Sequence, residues 1–167
     1  SIGMSKVDSA GEALRNAVEK AFKEDSQVLI EEMVMGREFT VGVYKSEEEI
    51  KVLPLTEVKA DADMSFFDFE AKYQGKSKEI TPAIISEKML GDLVAAAKKA
   101  YAILNCRGVV RIDFIYDNAT EKAYMLEVNT VPGQSEASVI PQQVKAMGWN
   151  LTDFYATLVE DAIARTN

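Results

Sequence analysis

Two alternating segments joined by a short polar turn are the feature that most constrains the fold of this chain. The segments are VVRIDFIYD and KAYMLEVNTV, and the residues NATE lie between them. Apolar residues recur with a period close to two, as on half-buried strands, and the short connection predicts an antiparallel hairpin. Side chains two residues apart share one face of a strand, so Arg111 and Asp113 lie on the same face.

The second strand of this hairpin ends in two polar residues that also share a face. Glu127 and Asn129 are two residues apart, and the same spacing predicts Met125 on their face, behind them. Leu126 and Val128 are then expected on the other face. A strand that enters a core and ends in two oxygen-bearing side chains suggests a binding site.

Pairing of the two strands predicts that Arg111, Asp113, Glu127 and Asn129 converge on one face of the sheet. Carboxylate and amide oxygens can hold a hard divalent cation that also binds phosphate oxygens. A guanidinium can stabilise negative charge that develops on a transferred group. A solvated strand face with cross-strand ion pairs is an equally supported interpretation of the spacing alone.

The remaining segments predict a domain of the α+β class. Helical periodicity and strand-like composition occur in segments that follow one another along the chain, with no repeats or low-complexity tract. Residues 59–81 show no sustained period and predict a long loop, which in a compact domain is often functional or disordered. The predicted helices are 9–22, 86–105, 138–147 and 151–165, and the predicted strands outside the hairpin are 27–36, 37–45 and 48–58.

Charge and composition exclude several kinds of partner and chemistry. The net charge of −8 argues against nucleic acid and anionic membranes as main partners. The chain has no histidine, which excludes Ser-His-Asp and Cys-His nucleophiles and histidine-ligated metals. A bound metal would therefore use carboxylate and amide oxygens, as magnesium, calcium and manganese do.

Cysteine usage and hydropathy predict a cytoplasmic protein. Cys106 is the single cysteine, so no intrachain disulfide can form, and a reducing compartment is expected. No run of about 18 apolar residues is present, which predicts no membrane span. The N-terminus does not have the pattern of a secretory signal.

Four motifs resemble those of the D-alanine–D-alanine ligases, which belong to the ATP-grasp superfamily. In chain order they are LIEEMVMGREFTV, FFDFEAKYQGKS, VVRIDFIYD and YMLEVNTVPGQSEASVIP, and the family has them in the same order. The resemblance implies an ATP-grasp C-terminal domain, mainly an antiparallel sheet flanked by helices, over residues 36–167. Residues 1–35 would be a remnant of the ATP-grasp central domain.

The resemblance implies a ligase that makes the cell-wall dipeptide of peptidoglycan from D-alanine and ATP through an acyl phosphate. It implies that Asp113, Glu127 and Asn129 bind two Mg²⁺ ions, which Mn²⁺ can replace, at the ATP phosphates. Arg111 matches the family arginine that stabilises the acyl-phosphate and tetrahedral states. It would therefore be both a catalytic and a substrate-binding residue.

The same resemblance assigns the second D-alanine to the region after the hairpin. Gly133 matches a position whose backbone N–H polarises the substrate carbonyl. Ser138 and Val139 match positions that bind the carboxylate of the second D-alanine, and Ser138 begins a predicted helix, where N–H groups favour an anion.

The nucleotide would be held by a hinge and a mobile loop. Glu31 would bind the adenine amino group, and Glu38 the ribose hydroxyls. Tyr73 would close the loop over the site, which keeps water away from the acyl phosphate. It also favours a dipeptide ligase over D-alanine–D-lactate enzymes. The ATP-binding residues implied by the resemblance are Glu31, Met33, Val34, Glu38, Phe66, Lys72 and Leu126.

Considered without the resemblance, these nucleotide residues indicate no ligand. Met33 and Val34 would be core residues, whereas Glu31 and Glu38 would be ordinary surface carboxylates. Lys72 and Tyr73 would lie in a solvated loop.

The first residues, SIGMSKV, resemble the tail of the family's phosphate-binding loop. We therefore expect the N-terminal domain and most of the central domain to be missing partners of this chain. The chain alone is then expected to be inactive, and the complete protein could form a homodimer. Two alternatives stay open: another ATP-grasp carboxylate–amine ligase, and a non-catalytic nucleotide-binding domain.

Overall fold

The computed structural model describes residues 2–60 and 77–165. Two compact units can be separated, Ser1–Val34 with Ala60–Lys78, and Met35–Lys59 with Glu79–Asn167. In chain order the elements are α1 (Glu12–Ala21), β1 (Arg37–Ser46), β2 (Glu49–Val52), β3 (Thr56–Ala60), β4 (Ser77–Ile80), α2 (Glu87–Ile103), β5 (Val110–Asp117), β6 (Lys122–Asn129), α3 (Val139–Ala146) and α4 (Leu151–Ala164). The helices that the sequence predicts are all present, with slightly different ends.

The first unit contains α1 and an irregular segment. Gly11 is the N-cap of α1, and no side chain caps the helix. The predicted strand over residues 27–36 is wrong, because these residues form no strand. Leu29 and Ile30 are 79% and 68% exposed. An apolar segment becomes a strand only when a neighbouring strand satisfies its backbone groups, and no described strand pairs with this one.

The second unit is built on an antiparallel sheet of order β4-β3-β1-β5-β6, with β2 also paired to β1. The predicted strand over residues 48–58 is divided into β2 and β3. Pro54 lies in the interruption and has no N–H to donate to a ladder. The loop predicted over residues 59–81 is wrong at its ends, where β3 and β4 extend into it, and its centre lies outside the described residues.

One face of the sheet packs against α2. Side chains alternate along β5, whose burial alternates over all eight residues, so its apolar set lies on a single face. The N-cap of α2 is Ser86, whose side chain accepts a hydrogen bond from the Met89 N–H at 3.2 Å. The buried residues of this core are Phe39, Val41, Val43, Leu55, Met89, Leu93, Ala97, Tyr101, Val110, Ile112, Phe114 and Tyr116.

A second core covers part of the opposite face, where residues of α3 and α4 pack against residues of β1 and of the segment after β2. Its buried residues are Tyr44, Leu53, Ile140, Val144 and Phe154. Tyr44 makes an edge-to-face contact with Phe154, with ring centroids 5.2 Å apart. Polar residues of β1, β5 and β6 lie on this same face of the sheet. The second core therefore positions α3 on the side of the sheet that carries the polar residues.

A β-bulge interrupts the alternation in β6. Asp113 pairs with Glu127, but the next residue of β5, Phe114, pairs with Met125, so Leu126 has no counterpart. Paired residues share a face, so Met125 lies on the Phe114 side and not with Glu127. The prediction that Met125 lies behind Glu127 is therefore wrong.

A buried ion pair joins β1 to β3. Glu57 is 3% exposed, and its carboxylate accepts a hydrogen bond from Arg37 Nε at 2.7 Å. Lys59 Nζ lies 3.6 Å from Glu57 Oε2. The hydrogen bond from Arg37 lowers the pKa of Glu57 below its ordinary value of 4.5. This carboxylate is thus stabilised in its charged form by the folded structure.

Acid is expected to weaken the fold through Glu57. Because the folded pKa is lowered, the stabilisation is complete above about pH 4.5 and is lost as the pH falls through the folded pKa. Glu57→Gln should cost about 1–3 kcal/mol at pH 7 and reduce the acid dependence of the unfolding free energy. Urea unfolding between pH 3 and pH 7 measures both effects. Glu136→Gln, at a side chain 92% exposed, is the control, and an equal loss there would contradict the prediction.

Candidate functional site

The centre of the polar face is a bidentate ion pair within β5. Arg111 Nε donates to Asp113 Oδ1 at 3.1 Å, and its Nη2 donates to Asp113 Oδ2 at 2.9 Å. Both side chains are only 18% exposed. A planar guanidinium and a carboxylate match each other in this geometry, so the pair holds the two side chains in fixed positions.

The neighbouring strand β6 adds two oxygen-bearing side chains. Arg111 pairs with Asn129 and Asp113 pairs with Glu127 in the strand register. Arg111 Nη2 also lies 3.4 Å from Glu127 Oε1, so one nitrogen contacts both carboxylates. The predicted convergence of these four side chains on one face is confirmed, whereas their roles remain proposals.

Thr40 on β1 supports this group from the other side of β5. Its hydroxyl donates to Asp113 Oδ1 at 2.9 Å, and the residue is 6% exposed. The register places Thr40 directly opposite Asp113. Sequence reasoning missed Thr40, because the pairing of β1 with β5 joins segments that are distant in the chain. A correct prediction of that pairing would have identified it.

The donor set fits a hard divalent cation. Two carboxylates approach the same guanidinium nitrogen, and the amide of Asn129 lies beside them in the register. Asn129 Oδ1 accepts a hydrogen bond from the Val131 N–H at 3.1 Å, which fixes the amide and leaves it a second lone pair. Among the residues that the structure describes, no group of three or more acidic or thiol side chains could hold a metal. A cation here would thus need an amide or another oxygen donor as well.

The segment after β6 brings Gly133 and Ser138 together. A Cβ atom on Gly133 would lie 2.8 Å from Ser138 Oγ, so glycine allows this approach. Ser138 Oγ is also 2.8 Å from Ser135 Oγ. Ser138 is the N-cap of α3 and makes no side-chain capping bond, so its hydroxyl faces the loop. Val139 is the first residue of the helix.

The predicted nucleotide residues are distributed over several segments. Glu38 lies on β1, on the same face as Thr40, two residues away. Leu126 is the bulged residue of β6 and is 53% exposed. In the other unit, Glu31 and Met33 are exposed and Val34 is half-buried. The predicted residues Phe66, Lys72 and Tyr73 lie outside the described residues.

Solved structures share this fold. A D-alanine–D-alanine ligase from Bacillus anthracis superposes with a TM-score of 0.76 at 26% identity, covering 93% of this chain and 49% of that one. The VanG D-Ala:D-Ser ligase from Enterococcus faecalis gives a TM-score of 0.77 at 30% identity, covering 90% of this chain and 43% of that one. The α+β prediction, a mainly antiparallel sheet flanked by helices, is confirmed.

Sequence comparison identifies the family. The model of the family described as the D-ala D-ala ligase C-terminus matches residues 1–160, and the chain belongs to this family. It is 48% identical over 165 residues to the D-alanine–D-alanine ligase of Flavobacterium johnsoniae, covering 98% of this chain and 49% of that protein. The chain thus spans about half the length of the curated relatives it matches. No helix in residues 2–60 or 77–165 is long and apolar enough to cross a membrane.

Proposed function

We propose that this chain is the C-terminal, ATP-binding and metal-binding part of an ATP-dependent D-alanine–D-alanine ligase. It would act together with a segment equivalent to the other half of its relatives, including their N-terminal and central domains. The observation that carries the proposal is the polar face on which Arg111, Asp113, Glu127 and Asn129 converge. We place the reaction in the cytoplasm, where ATP is available and the thiol of Cys106 stays reduced.

Asp113, Glu127 and Asn129 are proposed to hold two Mg²⁺ ions, or Mn²⁺ in their place. When bound, these ions would neutralise charge on the transferred phosphoryl group. Arg111 keeps the two carboxylates close together through its contacts at 2.9 and 3.4 Å. The same guanidinium could stabilise the negative charge of the acyl phosphate and of the tetrahedral state that follows it.

The second D-alanine is proposed to bind at the start of α3. The backbone N–H of Gly133 would polarise the carbonyl under attack, and Ser138 and Val139 would bind the carboxylate of the acceptor. The contact between Gly133 and Ser138 supports this grouping. Unpaired N–H groups at the first turn of a helix favour an anion, which is consistent with a carboxylate ligand.

ATP is the proposed nucleotide ligand of this chain. Glu31, Met33 and Val34 would contact the adenine, and Glu38 would contact the ribose. Leu126 is a further proposed ATP-binding residue. Phe66 and Lys72 would contact the nucleotide from the loop that Tyr73 closes. The complete protein could act as a homodimer. We also propose that residues 1–35 are a remnant of the central domain and that residues 36–167 form the C-terminal domain.

A ligase with a different acceptor is the second candidate, and one comparison favours it. The VanG enzyme, named as a D-Ala:D-Ser ligase, shares this fold at 30% identity. The two candidates share the metal site and the nucleotide site and differ only in the acceptor. A non-catalytic nucleotide-binding domain is less well supported, because binding alone does not require an arginine between two metal-binding carboxylates.

A chimeric enzyme tests the proposal. This chain would replace the aligned half of the Flavobacterium johnsoniae relative, to which it is 48% identical. We expect ATP-dependent formation of D-alanyl-D-alanine, with D-alanine preferred over D-serine and D-lactate as acceptor. The isolated chain should form no dipeptide, and Asp113→Asn should abolish activity in the chimera. A folded chimera that binds ATP but transfers no phosphoryl group would contradict the proposal, and a preference for D-serine would favour the second candidate.

A further inference from the structure

Hydrogen bonding leaves Asp113 with one open lone pair. Asp113 Oδ1 accepts from both Thr40 Oγ1 and Arg111 Nε, at 2.9 and 3.1 Å. A carboxylate oxygen has two lone pairs, so these two donors saturate Oδ1. Asp113 Oδ2 accepts one hydrogen bond, from Arg111 Nη2 at 2.9 Å. A ligand that approaches the carboxylate therefore finds its free lone pair on Oδ2.

The backbone of Thr40 is itself fixed by a buried glutamine from α3. Gln143 is fully buried, and its Nε2 donates to the Thr40 carbonyl and to Thr56 Oγ1, each at 3.0 Å. Its Oε1 accepts from the Gly42 N–H at 3.1 Å. The amide thus hydrogen-bonds to β1 where the strand passes from the residues that pair with β3 to those that pair with β2.

Gly42 makes this arrangement possible. A Cβ atom at this position would collide with Gln143 Oε1, and it would come within 2.8 Å of Ile140 and Leu53 side-chain atoms. The side chain of Gln143 can therefore reach the strand only because Gly42 has none. Each of its polar atoms is hydrogen-bonded, which makes it a fixed support for Thr40.

We propose that Thr40 is a positioning residue for the metal site. Its hydroxyl, held in place through Gln143, turns Asp113 so that Oδ2 alone is presented to the cation. This inference rests on the proposed metal site and adds to it the orientation of one ligand. Outer-shell hydrogen bonds to a ligating carboxylate act in this way, and their loss weakens metal affinity.

Two substitutions distinguish a hydrogen-bonding role from a packing role. Thr40→Val keeps the branched shape that suits a buried strand but removes the hydroxyl. Thr40→Ser keeps the hydroxyl and removes a methyl group. Packing alone predicts that valine resembles the unsubstituted protein and that serine is worse, whereas positioning of Asp113 predicts the reverse order.

The test measures binding of Mn²⁺ in the presence of ATP, by the enhancement of water-proton relaxation on the 167-residue chain. We expect Thr40→Val to weaken Mn²⁺ binding by about tenfold, and Thr40→Ser to change it by less than about twofold. Asp113→Asn serves as the reference for loss of the ligand itself. Circular dichroism melting checks that each variant is folded, and Thr40→Ala, which also lacks the hydroxyl, replaces the valine variant if that one is unfolded.

The possible outcomes distinguish the positioning role of Thr40 from the metal site itself. Unchanged Mn²⁺ affinity in Thr40→Val, with a clear loss in Asp113→Asn, would overturn the positioning role and leave the metal site intact. Weaker Mn²⁺ binding by Thr40→Ser than by Thr40→Val would also overturn the positioning role, in favour of packing. Normal Mn²⁺ binding by Asp113→Asn, or none by the unsubstituted chain, would contradict the proposed metal site itself.

Discussion

Glu127→Gln in the chimeric ligase is expected to lower kcat by about 100-fold or more while changing the affinity for adenine nucleotide little. The proposed role of Glu127 is to bind metal at the phosphates, where charge shifts during transfer. Glutamine keeps the shape and removes the charge, so it weakens an interaction that grows towards the transition state. The side chain is 57% exposed, so the substitution should leave the fold intact.

Glu38→Ala provides the matched comparison on the nucleotide. Contacts with the ribose are about equal in the ground state and the transition state, so their loss should raise the KM for ATP with a smaller change in kcat. Steady-state kinetics with ATP and D-alanine varied separate the two effects. A near-normal kcat for Glu127→Gln at saturating magnesium and ATP would show that the end of β6 is not the metal site.

The hairpin could be predicted because its evidence is local. Period-two spacing and a short turn are visible within about twenty residues, and they fix which side chains share a face. The bulge at Leu126 changes the pairing without changing the composition, so alternation placed Met125 on the wrong face. One extra residue in one strand reverses the face assigned to every residue beyond it. No residue type marks the position of the bulge here.

Supports for the site were missed because they come from distant segments. Thr40 on β1 contacts Asp113 on β5, and these two paired strands lie far apart in the sequence. Gln143 looks like an ordinary polar helical residue, yet it is fully buried against β1. Gly42 indicates only a weak point in a strand when considered alone. Its function becomes clear only with Gln143 beside it.

The segment over 27–36 shows the opposite failure. Its composition is typical of a strand, but strand formation also depends on a neighbour that lies elsewhere in the chain or outside it. The described residues provide no such neighbour. Residue composition therefore predicted a strand where the described fold has none. The domain boundary proposed at residue 35 remains a prediction.

Gly36→Ala is expected to destabilise the chain by about 3 kcal/mol, at the upper end of the cost of overpacking. Gly36 lies where the chain enters β1, and an added Cβ would collide with the Tyr116 carbonyl oxygen. It would also lie 2.7 Å from the Tyr116 carbonyl carbon and 2.8 Å from Ile115 Cγ2. Tyr116 pairs with β1 on one side and with β6 on the other, so this backbone cannot move away without breaking ladder hydrogen bonds.

Gly91→Ala is the control, and its expected effect has the opposite sign. Gly91 lies within α2, and an added Cβ would meet no atom within 4 Å. Alanine in a helix is more favourable than glycine by about 0.5–1 kcal/mol, so this variant should be more stable than the unsubstituted chain. Urea unfolding of both variants at pH 7 gives the two free energies under the same conditions. A Gly36→Ala variant as stable as Gly91→Ala would show that β1 does not enter the sheet against Tyr116, and the register that places Thr40 opposite Asp113 would then be wrong as well.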